Sequence, residues 1–240
     1  MSGEPARFEL APVRLSPGLV ELLFMPSDAR GVLDAEALTS LKSTVSMVAS
    51  DPSVRLVALH GARPDLFAAG ADLNDIARLT PESAGAFAEQ GREAFGAWEA
   101  LEATTVAVVR GACRGGAVDL ILASDVVLAF PNATFAHPGV ARGIVTGWGG
   151  TVRAARRLSP AALRALFTEE EPLSVERAVA NGLVDLEVES DEMLSELLAA
   201  WSGPNGEPLR RLKQVARSVE GLTLKQALFV EERSRQLEES

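Results

Sequence analysis

The sequence predicts an α/β fold built around a parallel sheet. Short apolar runs recur at Leu19–Phe24, Val54–His60, Thr105–Val109, Val126–Ala129 and Leu183–Val188. Between most of them lie stretches with apolar residues at helical spacing. Capping residues and glycines mark the changeovers. Strands that alternate with helices favour parallel pairing through right-handed crossovers. The 240 residues suit one compact domain, or one domain with a small helical appendage.

Each element has a local reason. Leu19–Phe24 is a β-rich run. Asp34 opens an amphipathic helix to about Ala49, with Leu38, Leu41, Val45 and Val48 on one face. Val54–His60 is the next strand, followed by a turn-rich loop from Gly61 to Gly70. Thr80 and Pro81 read as the N-cap and first residue of a long helix to about Glu102. Thr105–Val109 is a buried-type strand, Gly111–Gly116 a tight loop, and Ala117–Ala123 a short apolar helix. Val126–Ala129 and Thr134–Ala136 are short strands. From Gly149 the pattern is helical, with caps at Ser159-Pro160 and Ser174, and Gly182 ends the second of these helices. Leu183–Val188 is a last strand. The remainder, Asp191–Ser240, reads as helices with a break near Gly203–Gly206.

Composition narrows the function. The net charge is -10 and the isoelectric point about 4.8. Such a surface repels phosphate backbones, so no nucleic-acid partner is expected, and a phosphate-bearing ligand needs a local basic patch. Cys113 is the single cysteine, which excludes a disulfide, and no Cys/His spacing suggests a metal. Its simplest role is a small packed residue in a reducing compartment, so a cytoplasmic protein is expected. Met1–Arg7 leads into no apolar run of signal-peptide type. No window approaches the about 18 apolar residues of a membrane span. The longest apolar stretch, Ala117–Phe130, is broken by Asp119, Ser124 and Asp125.

Two segments combine small residues with a passage from strand to loop to helix. They are Phe67-Ala-Ala-Gly-Ala-Asp72-Leu and Val109-Arg-Gly-Ala-Cys-Arg-Gly-Gly116-Ala-Val-Asp119-Leu. Small side chains let a ligand approach the backbone closely. N–H groups at a helix start are unpaired and lie at the positive end of the dipole. Two aimed at one spot would form an oxyanion hole. Either segment alone also reads as an ordinary turn. No dinucleotide or P-loop glycine pattern is present, and Gly147-Trp-Gly-Gly150 has the wrong spacing.

Together these motifs resemble the enoyl-CoA hydratase/isomerase (crotonase) family. Phe67–Asn74 is similar to the signature after its second strand, and Val106–Asp125 to its central motif. Asn132–Thr151 continues in register, and Ala178–Asp185 is similar to a later helix–strand junction. The match runs from about residue 15 to 190. The resemblance implies an α/β crotonase-like spiral of ββα turns over residues 1–190 and a C-terminal helical trimerisation region over 191–240. It implies a homotrimer or a dimer of trimers. It implies coenzyme A as part of the substrate, or a carrier-bound thioester, with no metal and no further cofactor. By position, the N–H groups of Ala71 and Gly116 would hold the thioester oxygen. Ala69, Asp72 and Leu73 would border the adenine pocket, with Gly115 beside them. Arg30 is placed to meet a phosphate, or is simply a solvated surface arginine.

This chain departs from the pattern at its acids. Family hydratases hold water between two glutamates. Asp119 stands at the first position and Gly139 at the second. Asp119 lies among Val118, Leu120, Ile121 and Leu122, so it should be buried and either satisfied by hydrogen bonds or used as an acid/base. His137, two residues before Gly139, is a candidate base or donor, with a structural role the other reading. Gly139 opens space that an anion or a substrate carboxylate would fill. Trp148 packs in the core or over the acyl pocket. The acidic, charged C-terminus lacks the family's closing aromatic and lysine. The leading expectation is enoyl hydration, dehydration or isomerisation with Asp119 moving the proton. A decarboxylase or other lyase, and a catalytically inactive CoA-binding protein, are the alternatives.

Overall fold

The predicted strands lie side by side because each is apolar on both faces and needs cover on both. The computed structural model describes residues 8–26, 31–61, 63–203 and 206–236. The chain begins with β1 (Phe8–Ser16), β2 (Leu19–Pro26), α1 (Ala35–Ala49), β3 (Leu56–Gly61) and β4 (Leu66–Ala68). Then come α2 (Leu73–Ala77), α3 (Pro81–Ala100), β5 (Thr104–Val109), β6 (Ala112–Arg114) and α4 (Gly116–Leu122). β7 (Val126–Ala129), β8 (Thr134–Ala136), a 3-10 turn (Val140–Arg142), α5 (Gly150–Arg157) and α6 (Pro160–Thr168) follow. The chain continues through β9 (Leu173–Ser174), α7 (Val175–Ala180) and β10 (Leu186–Glu187). Three helices close it: α8 (Asp191–Ser202), α9 (Gly206–Ser218) and α10 (Leu224–Gln236).

Two sheets form. The six-stranded one has the order β1-β2-β3-β5-β7-β10 and the four-stranded one β4-β6-β8-β9. From β2 to β10 the large sheet is parallel, with β1 antiparallel at its edge. In the small sheet β4, β6 and β8 are parallel. Successive pairs β3–β4, β5–β6 and β7–β8 give one strand to each sheet, so the chain winds as a spiral of ββα turns.

Strand side chains alternate between two cores. Val57, Leu59 and Ala107 face the main one with Leu38, Leu41, Phe95 and Trp98. Leu56, Ala58, Val106 and Val108 face the other, against Leu194 and Leu198 of α8. Local signals fix the helix starts. Asp34 accepts from the Ala37 N–H at 2.9 Å, and Thr80 and Ser83 form a reciprocal capping box. The C-terminal helices are tied down at Lys213 of α9. Its ammonium donates to the Ala103 carbonyl at 2.8 Å and pairs with Asp125.

The structure differs from the sequence reading at the nine-residue first strand and at several short elements. β1, β4, α2 and β9 were not expected, and β6 lies inside the expected Gly111–Gly116 loop. Three-residue strands are too short for a period-two pattern; their pairing comes from loops laid alongside one another by the large sheet. The expected strand at Val54 begins at Leu56. Leu183–Val188 contracts to Leu186–Glu187, because the Leu183 and Val184 N–H groups close the end of α7 on the Ala178 carbonyl.

Candidate active site

Parallel pairing of β4 with β6 puts the two glycine-flanked bends next to each other. Gly70 has φ +75° and Gly115 φ +53°, both in the region that glycine tolerates. A Cβ on Gly70 would lie 2.5 Å from the Gly116 nitrogen and 2.7 Å from the Arg114 oxygen, so the backbones meet without an intervening side chain. Ala71 and Gly116 line the same cavity, of about 360 Å³. Neither amide N–H has a backbone acceptor among the described residues. Two donors thus border one space, the arrangement a developing oxyanion requires.

The cavity wall is mostly apolar. Ile76, Leu79 and Phe87 come from the α2–α3 region, and Ile144 and Val145 from the loop after the 3-10 turn. Trp148 both packs in the core and borders the cavity. Its ring lies edge-to-face with Phe87 (5.2 Å) and Phe95 (5.5 Å), and its indole N–H donates to the Phe87 carbonyl at 3.2 Å. It rests on two glycines: a Cβ at Gly91 would come within 2.0 Å of the indole and one at Gly116 within 2.1 Å.

Asp119 points from α4 into the protein and is 0% exposed. Thr146 Oγ1 donates to its Oδ2, in turn accepting from the Trp148 N–H at 3.3 Å. His137 Nε2 stands 3.1 Å from its Oδ1. That contact is short for an ion pair but off the line of a well-aligned hydrogen bond. Space for the carboxylate exists only because residue 150 is glycine: a Cβ there would lie 1.7 Å from Oδ1. Asp119 is not on the cavity wall, whereas His137 and Thr146 are.

His137 follows β8 and is 5% exposed. Its main-chain N–H donates to the Leu166 carbonyl at 3.2 Å, and its ring lies tilted against Phe167 with centroids 4.6 Å apart. Its Nδ1 is buried with no partner among the described residues. The Nδ1–Cε1 edge faces Gly139, where a Cβ would be 3.4 Å from both atoms and 2.8 Å from the Ile144 carbonyl oxygen. Gly139 lines the cavity, but the space beside it ends on that carbonyl, whose negative end disfavours an anion. Its glycine serves the tight turn in which Arg142 and Ile144 N–H groups both donate to the Gly139 oxygen at 2.9 Å.

Of the residues singled out by sequence, Ala69, Ala71, Gly115, Gly116, His137, Gly139 and Trp148 line this one cavity. Asp72 caps α2, accepting from the Asn74 N–H at 2.7 Å, and Leu73 is the first residue of that helix. Arg30 lies outside the described residues. Sequence reasoning missed Thr146, for which a hydroxyl inside a glycine-rich stretch was the available signal. It also missed Arg114 and Arg142, the basic residues of the wall. Arg114 donates to the Thr134 carbonyl at 2.6 Å and hydroxyl at 2.8 Å. Burial pushes the Cys113 thiol well above its ordinary range, leaving it inert. Among the described residues no three His, Cys, Asp or Glu side chains gather as metal ligands, and no helix is long and apolar enough to cross a membrane.

A family model described as enoyl-CoA hydratase/isomerase matches residues 19–234. A crotonyl-CoA hydratase from Syntrophomonas wolfei is 32% identical over 169 residues, covering 70% of this chain and 65% of that protein. A short-chain-enoyl-CoA hydratase from Clostridium acetobutylicum is 29% identical over 167 residues, covering 70% of this chain and 64% of that protein. The chain thus spans less than two thirds of the length of these curated relatives. The crystal structure of an enoyl-CoA hydratase from Thermoplasma volcanium superposes with a TM-score of 0.88 at 21% identity, over 99% of this chain and 94% of that one, which shows a common fold.

Proposed function

Since the chain belongs to the enoyl-CoA hydratase/isomerase family, we propose that it binds an acyl thioester of coenzyme A and stabilises the enolate of that thioester. The reaction is addition or removal of water across an enoyl double bond, or a shift of that bond. The observation that carries this reading is the meeting of the Ala71 and Gly116 amides at one largely apolar cavity.

The physics follows the charge. Attack at the β carbon, or loss of an α proton, moves an electron pair onto the thioester oxygen. Two preorganised N–H donors there favour the enolate over the neutral thioester, each worth about 10²–10³ in rate. Low-polarity walls exclude water and strengthen that interaction. The acyl chain lies against Ile76, Leu79 and Phe87, with Trp148 fixing the Gly116 bend from above. Proton transfer falls to the Asp119–His137 pair, whose imidazole lines the cavity. No further cofactor is needed for this chemistry. That two relatives are a crotonyl-CoA hydratase and a short-chain-enoyl-CoA hydratase supports hydration over isomerisation.

The same reading assigns the C-terminal helices to assembly. Leu212 of α9 and Leu224, Leu228 and Phe229 of α10 are 54–76% exposed, an apolar surface suited to a second copy in a homotrimer or a dimer of trimers. Incubation with crotonyl-CoA tests the activity. Steady loss of the enoyl absorbance is expected. Absence of turnover with a melting temperature raised by CoA esters would instead indicate a binding protein.

A further inference from the structure

Resting on that thioester reading, we propose that His137 alone exchanges protons with the substrate, through Nδ1, and that Asp119 and Thr146 are positioning residues behind it. Asp119 is fully buried and absent from the cavity wall, while His137 lies on it. Oδ2 accepts from Thr146, and Oδ1 faces His137 Nε2 at 3.1 Å without an aligned hydrogen bond. Nε2 faces the carboxylate and Nδ1 faces Gly139 on the cavity wall, so we place the ring proton on Nε2 and the lone pair on Nδ1. Nδ1 is buried without a partner among the described residues, and its edge faces Gly139 and the Ile144 carbonyl. The place a Cβ at 139 would take is 3.4 Å from Nδ1 and 2.8 Å from that carbonyl. A water near this edge donates one proton to each acceptor and turns its oxygen to the cavity. Glycine at 139 thereby exchanges a second carboxylate for an imidazole and a main-chain acceptor.

The proton count closes with one imidazole. The water oxygen bonds to Cβ as one of its O–H bonds breaks, and that proton passes to Nδ1. The double-bond pair moves onto the thioester oxygen, held by the Ala71 and Gly116 amides. The Nδ1 proton then goes to Cα, the enolate collapses, and a 3-hydroxyacyl thioester leaves with neutral His137 restored.

The test combines two reactions of the full chain: hydration of crotonyl-CoA, and exchange of the α protons of butanoyl-CoA for deuterium in D₂O. His137→Gln is expected to lower both by about a hundredfold or more. Asp119→Asn is expected to lower kcat by a smaller factor, with KM within twofold. His137→Gln within fivefold of the unaltered chain, or Asp119→Asn the deeper loss, would overturn the proposal. Hydration that survives His137→Gln sinks the proposal and leaves the thioester reading standing. Exchange that depends on His137 without hydration upholds the proposal and the enolate reading and excludes hydration as the reaction. Neither reaction in the unaltered chain removes both. Should the variants not fold, the unaltered chain decides: its two histidines allow ¹⁵N ring spectra to be resolved. The Nε2–H tautomer is expected for His137, and the Nδ1–H tautomer contradicts the assignment.

Discussion

Nε2 of His137 lies 3.1 Å from Oδ1 of Asp119, and both side chains are buried. The pair joins β8's end to α4 and is completed by the Thr146 hydroxyl. Asp119→Ala strips the neighbour from buried His137 and the acceptor from half-buried Thr146 at once. It is expected to cost about 1–3 kcal/mol of stability, read from denaturant unfolding, and to reduce turnover at least tenfold.

Gly150 is the reason Asp119 fits. A methyl group there would overlap the carboxylate, which is fully buried and held by Thr146. Gly150→Ala is expected to destabilise by about 1–3 kcal/mol and to impair activity as Asp119→Ala does. Gly85→Ala, in the exposed interior of α3 with nothing within 4 Å of its Cβ, provides the contrast. It should raise stability by about 0.5–1 kcal/mol and leave turnover unchanged.

Trp148 supports the donor bend from above. Trp148→Ala removes a buried indole wedged among Phe87, Phe95 and two glycines, at an expected cost of about 3–5 kcal/mol. The same change enlarges the acyl space. Among CoA esters of increasing chain length, the optimum of kcat/KM should move to longer chains.

Lys213 links the C-terminal helices to pH. Burial holds its ammonium below the ordinary lysine value, more than pairing with Asp125 raises it. Between the folded value and the unfolded one the unfolded chain binds more protons, so stability rises with pH across that window. Below the window both states are protonated and the burial cost is present in full. Urea midpoints should therefore improve on going up towards pH 10 in the native chain and not in Lys213→Met.

Much of this was legible in the sequence because the larger elements carry their own signals. Asp34, Thr80, Ser159 and Ser174 each cap the helix assigned to them. The five core strands of the large sheet were visible as apolar runs, though Leu183 and Val184 belong to the end of α7. β4, β6 and β9 were not visible, since they form only when neighbouring turns of the spiral bring loops together. At the site, the small residues around Ala71 and Gly116 marked the donors. The reach of Asp119 was hidden: its burial behind His137 depends on Thr146, 27 residues along, and on an unfilled position at Gly150. Gly139 read as open space; the Ile144 carbonyl that closes it comes from a turn with no periodic signal.

The central claim is that two main-chain amides polarise one thioester carbonyl. The most direct measurement is the ¹³C resonance of crotonyl-CoA labelled at the carbonyl, free and bound to the intact chain. A downfield shift on binding is expected, because two hydrogen bonds draw electron density onto the oxygen. A bound thioester whose carbonyl resonance stays where it is in water would contradict the account.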